Sequence, residues 1–276
     1  MFVRTAFFLA GLLCITKVYA QPDLLSRKHT TTELRTMLTP VDQWKPFPTG
    51  ADRAAWEALP QELREASIRR GEEALEYDWP ALKATGFLDF VRTGNRDRYQ
   101  RVRSERRRQL SSLVMAECVE GKGRFLDQIA NGIWVTCEET WWGVPAHMGA
   151  QKAGRGLPDV NEPVVALFSA DTAAQLAWTV YMLGPQLAQV SPLILPRVQR
   201  EIDRQMLTPA LERDDFGWMG FPDRRVNNWN PWINSNWLTC TLLMEQDADR
   251  RARSVEKILR SLDNFLNHYP KDGGCD

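Results

Sequence analysis

Arg96-Asp-Arg-Tyr-Gln-Arg-Val-Arg-Ser-Glu-Arg-Arg-Arg-Gln-Leu-Ser-Ser-Leu-Val-Met-Ala-Glu-Cys118 is the stretch that decides the fold. Tyr99, Val102, Leu110, Leu113 and Val114 recur at the three- and four-residue spacing of one helix face. The spacing predicts a long helix over residues 96–118. Its charged residues, above all Arg101 to Arg108, read as a solvated outer face.

The same period extends in both directions. Ala51 to Leu75 is helical in pattern, with Pro60 opening a second segment, and Trp79 to Val91 is a short helix. Phe125 to Cys137 follows the long helix. Ala170 to Leu183 comes next, with Ser169 as its N-cap. Pro192 to Met206, Trp237 to Met244 and Asp249 to Asn267 complete the set, and no run alternates with the period of a strand. The predicted class is all-α. Helix hairpins in series, with the unusual residues gathered in the loops Trp141 to Pro163 and Asp214 to Ser235, suggest an (α/α) toroid with a cleft over one end. A plain helical bundle is the alternative. No short repeat of the solenoid kind is present.

Residues 1–20 read as a signal peptide. Arg4 begins it, Ala6 to Ile15 is apolar but short for a membrane anchor, and Val18-Tyr19-Ala20 offers small residues for cleavage before Gln21. The expected location is periplasmic or secreted, with no membrane association after cleavage. Residues 21–50 are polar and punctuated by proline, an extended segment over the surface, and residues 51–276 form the helical domain. Without Arg4 and Lys17 the chain carries 33 basic and 35 acidic residues, a balance that argues against nucleic acid as a partner. Cysteines 118, 137, 240 and 275 lack the paired spacing of a zinc site. One disulfide is conceivable among them, and the sequence does not choose it. No metal or organic cofactor is implied.

Eleven tryptophans are many for 276 residues, and indole planes stack on the apolar faces of sugars when they are not core. Two segments concentrate the unusual chemistry. One is Asn131-Gly-Ile-Trp-Val-Thr-Cys-Glu-Glu-Thr-Trp-Trp-Gly-Val-Pro-Ala-His147. The other is Asn227-Asn-Trp-Asn-Pro-Trp-Ile-Asn-Ser-Asn-Trp237, with five asparagines and three tryptophans in eleven residues. Asparagine is a poor helix former and costly to bury unpaired, so the second segment reads as a turn-rich loop or as a carbohydrate cleft. In such a cleft amides would bond hydroxyls and carboxylates while indoles supply platforms.

Three segments together carry a resemblance: Asn227-Asn228-Trp229-Asn230-Pro231-Trp232, Glu138-Glu-Thr-Trp-Trp-Gly-Val-Pro-Ala-His147, and Arg260-Ser-Leu-Asp-Asn-Phe-Leu-Asn267 with Asp272-Gly-Gly-Cys-Asp276. Over roughly residues 50–276 the chain resembles the helical domain of the heparinase II/III family of polysaccharide lyases. The resemblance implies β-elimination on a uronic-acid polysaccharide, so the expected partner is an acidic glycan of the heparan or alginate kind. An amide neutralises the uronate carboxylate, the C5 proton becomes acidic, and a tyrosine or a His–Tyr pair moves it. Carried onto this chain, the resemblance makes Asn228 the best match for the neutraliser, with Asn227 next, and His147 a cleft histidine, either a substrate contact or the acid/base partner. Asn227, Trp229, Asn230, Trp232, Trp141, Trp142 and Glu139 are substrate contacts.

The chain departs from the family after Gly-Gly-Cys-Asp, where an acidic Gly-Pro stretch would supply the catalytic tyrosine and a β-rich domain would follow. Tyr77, Tyr99, Tyr181 and Tyr269 do not stand in that context. The expectation is therefore an incomplete toroid, a fragment of a longer lyase. The rivals are a glycan-binding protein that does not cut, and a glycoside hydrolase, for which Asp171, Asp214 and Asp215 form no evident pair.

Overall fold

The computed structural model describes residues 23–222, 224–270 and 272–274, so residues 1–20, which the sequence reads as a signal peptide, and Cys275 and Asp276 lie outside the described residues. All regular structure among them is helical. In chain order it comprises α1 (Thr31–Met37), α2 (Arg53–Glu57), α3 (Gln61–Leu75), α4 (Ala84–Thr93), α5 (Asp97–Glu120), α6 (Leu126–Cys137), α7 (Leu167–Val190), α8 (Ile194–Ile202), α9 (Thr208–Glu212), α10 (Trp229–Met244) and α11 (Ala248–Leu266). Short 3-10 turns and one π turn, Asp203–Leu207, link some of them. No helix among the described residues is long and apolar enough to cross a membrane.

α5 packs along α3, and Gly71 is what lets them approach. A Cβ there would sit 2.2 Å from the Cβ of Ala116. α7 lies centrally against α5, α6, α8 and α10. Its buried residues Ala170, Ala173, Ala174 and Ala177 are small enough for neighbours on several sides. α11 closes on α10 through one face and on α1 through another, where Leu34 meets Ala252 and Val255. The main core joins α3 through α11 in one cluster, with Trp142, Trp237, Phe125 and Phe216 fully enclosed.

Five sequence expectations need correction. The segment 21–50 is not wholly extended: Thr30 and Glu33 form a reciprocal capping box that starts α1, and Asp263 accepts from the amides of Leu25 and Ser26 at 2.9 Å each. The helix expected at Trp79 begins at Ala84, because Trp79 adopts φ 52 and Pro80 follows it. α7 starts at Leu167, before Ser169, whose hydroxyl accepts from the Ala166 amide inside the first turn.

α10 starts eight residues early. Asn230 and Asn234, one turn apart and fully buried, tolerate a helix because Ser261 of α11 meets both amides, at 3.0 and 2.9 Å. Finally, Arg103, Arg106 and Arg107 are not solvated. They lie on the inward face of α5 at 2%, 3% and 6% exposure. The described cysteines 118, 137 and 240 are free and buried, and burial raises all three thiols above their ordinary value.

Candidate functional site

The segment after α6 is fastened from below. Glu139 receives Arg107 through two bonds, at 2.8 and 2.5 Å, and Arg106 stands 3.4 Å from it. Arg103 donates to the carbonyls of Trp142 (3.2 Å) and Phe168 (2.6 Å) and to Thr172. Burial, then the neighbouring Arg107, lowers the Arg103 guanidinium to about 10. The Trp142 indole donates to the Thr136 carbonyl and its amide to Gln205, while Trp141 donates to the Val164 carbonyl at 2.6 Å.

These contacts correct three of the proposed substrate contacts. Trp142 is fully enclosed and Trp141 nearly so, so neither offers a ring face on the outer surface; what is accessible of Trp141 lines a cavity at the end of α6. Glu139 is spent on arginines. Asn230 is likewise structural, donating to the Trp218 and Ser261 carbonyls and to the Ser261 hydroxyl. The hydroxyl and carbonyl partners it needs lie 12 and 31 residues away, which no local spacing reveals.

His147 behaves differently. It sits in the 3-10 turn Pro145–Ala150, with its ring parallel to Phe168 at 5.3 Å and tilted against Trp229 at 4.4 Å. The two unusual segments, 80 residues apart in sequence, therefore meet through these rings. Arg103 lies over the other neighbour, 5.1 Å from the centre of the Phe168 ring. His147 Nδ1 is buried with no partner. Burial first, then the charges of Arg96 and Arg103, depress the imidazole to about 4, so it is neutral at pH 7.

Beside this ring cluster α10 begins. Asn227 accepts the Trp229 amide at 3.1 Å and so caps the start of the helix. Asn228 is exposed, and no hydrogen bond to its carboxamide is seen among the described residues. Trp232, one turn further, is 48% exposed. The first-turn amides of α10 add a positive dipole end to the same place. Of the residues expected from the sequence, His147, Asn227, Asn228, Trp229 and Trp232 thus fall on or beside one face. Arg96, Arg103 and Phe168 belong with them and were missed. The only sequence signal for Arg103 was its register with Leu110, Leu113 and Val114 on α5. No protein-family model matches the chain, and no curated protein matches it.

Proposed function

We propose that the His147–Trp229 face binds an acidic glycan, and that the chain is the helical part of a polysaccharide lyase of the heparinase II/III kind. The observation that carries the reading is the meeting of His147 with Trp229 beside an exposed Asn228 whose carboxamide has no bond among the described residues. Trp232 offers an indole plane to a sugar ring, and Asn228 offers an amide to the uronate carboxylate. The helix N-terminus, Arg96 and Arg103 make the surroundings favourable to an anion. In the β-elimination reading, donors around the carboxylate stabilise the charge that develops as C5–H breaks. His147, neutral at pH 7, is in the state that accepts a proton. The helix pairs α3 with α5, α5 with α6, α7 with α8 and α10 with α11 support a toroid of hairpins, in part.

A second reading, glycan binding without cleavage, is favoured by one feature. The same burial that keeps His147 neutral makes it a weak base. Heparan sulfate, alginate and hyaluronate oligosaccharides, incubated with the chain and with Asn228→Ala and Trp232→Ala, test both. Binding lost in both variants, with unsaturated uronate absorbance in the parent, supports the lyase. Binding without that absorbance supports the second reading. No binding of any acidic glycan refutes both.

A further inference from the structure

A cavity of about 430 Å³ opens between the start of α4, the inward face of α5 and the end of α6, apart from the His147–Trp229 face. Its apolar walls include Trp79, Phe87 and Trp141, and its polar groups are Lys83, Tyr99, Arg106, Thr140 and the carboxylates Glu138 and Glu139, the second already engaged by Arg107. Phe87 stands edge-on to Tyr99 at 4.9 Å and to Trp141 at 6.2 Å, so the aromatic wall is continuous.

The charge around this cavity is unbalanced. Arg103, Arg106 and Arg107 are buried on one face of α5, and among the described residues the one carboxylate paired with any of them is Glu139. Glu139 is held in both oxygens by Arg107. Arg103 is satisfied by carbonyls and Thr172, with Asp171 in its field. Arg106 is left over. Its nearest approach to a carboxylate is the 3.4 Å contact with Glu139, and no hydrogen bond to it is seen among the described residues. Its Nε is buried without a partner. A buried guanidinium with donors unfilled is costly, and an anion delivered to it would gain charge-assisted bonds in a desolvated setting. Glu138 and Lys83, both exposed, also line the cavity and offset each other in charge. With Glu139 engaged by Arg107, the charges lining the cavity do not sum to a net negative.

We propose that this cavity binds a small organic carboxylate with a ring body. The carboxylate meets Arg106, the Tyr99 hydroxyl donates to it, and the ring lies among Trp79, Phe87 and Trp141. A ring is favoured over a polyol because the walls are indole and phenyl faces, which return nothing to hydroxyl groups they desolvate. The inference does not depend on glycan binding at the other face.

Titration calorimetry on the full chain with phenylacetate, its uncharged counterpart 2-phenylethanol, and glucuronate tests it. Phenylacetate should bind, and Arg106→Gln should weaken it about tenfold or more. Because Arg106→Gln could also unsettle the core, Ala84→Trp provides a second arm. Residue 84 is exposed at the first turn of α4 on the cavity rim, so the indole should block binding while the unfolding midpoint stays within a degree or two of the parent. Equal binding of 2-phenylethanol would overturn the role of Arg106. Tighter binding of glucuronate would overturn the ring body. Absence of phenylacetate binding, or binding indifferent to both substitutions, would overturn the site.

Discussion

Glu139→Gln is the substitution that most directly probes how this fold tolerates buried charge. The carboxylate is 9% exposed and takes two bonds from Arg107, with Arg106 3.4 Å away. Glutamine keeps the shape but turns one acceptor into a donor aimed at a guanidinium, and it removes the sole negative charge paired with the three inward arginines of α5. Breaking a buried pair from one side costs about 3–5 kcal/mol, because the partner stays buried and uncompensated. At about 2–4 °C per kcal/mol for a domain of this size, the midpoint should fall by about 6–20 °C. Urea unfolding followed by tryptophan fluorescence would read the change as a lower midpoint at unchanged slope. Glu138→Gln is the control: its side chain is exposed, and its effect should stay within about 0.5 kcal/mol. A loss below about 1 kcal/mol for Glu139→Gln would refute the reasoning. It would mean that Arg107 relies on the hydroxyls of Thr172 and Thr136 and not on the carboxylate.

Two further predictions rest on single contacts. The folded His147 titrates near 4 against an ordinary 6.5, so between those values the unfolded chain binds more protons. Its contribution to stability is present above about pH 6.5 and lost as the pH falls towards 4; His147→Asn should flatten that part of a stability-against-pH profile, and an unchanged slope would contradict the buried neutral imidazole. Ser261→Ala removes the hydroxyl that accepts from Asn230 and Asn234 and donates to Met219, and it should cost about 1–3 kcal/mol in the same urea assay while leaving glycan binding unchanged.

The helices were legible because apolar residues at three- and four-residue spacing report a buried face without naming its partner. α3, α5, α6 and α11 follow that rule to within two residues. What misled was polarity. Arg103, Arg106 and Arg107 share the register of Leu110 and Leu113, yet charge argued them outward. Their partners at Glu139, Trp142 and Phe168 lie 32, 39 and 65 residues on, where no local pattern points. The asparagine-rich segment failed for the same reason. Asn230 and Asn234 look like loop residues until Ser261, 31 and 27 residues later, supplies their bonds. Trp141 and Trp142 were as deceptive in the other direction, since aromatic residues in a polar loop suggest a surface platform, whereas Trp142 is core and Trp141 is buried against the α5 cavity.

A single criterion separates the two kinds of polar residue in this chain. A group whose charge or donors the fold already uses has a structural role that explains its presence, however unusual its sequence context; Glu139 is used by Arg107, and the Nδ2 groups of Asn230 and Asn234 by the bonds to Ser261, although the Oδ1 atoms of both asparagines are buried with no partner among the described residues. A group that the fold positions but leaves unfilled has no such explanation. Among the described residues, Asn228 stands exposed at the start of α10 with its carboxamide unbonded, His147 keeps a buried nitrogen without a partner, and Arg106 carries a charge that no carboxylate fully meets. Orphaned groups cost stability, and a fold that retains several at two openings is tolerating that cost where a ligand could repay it. The first two gather at the His147–Trp229 face and the third at the α5 cavity. Function in this molecule is therefore best sought at those two places, and the asparagines and tryptophans that first drew notice divide between scaffold and site according to whether the fold has already used them.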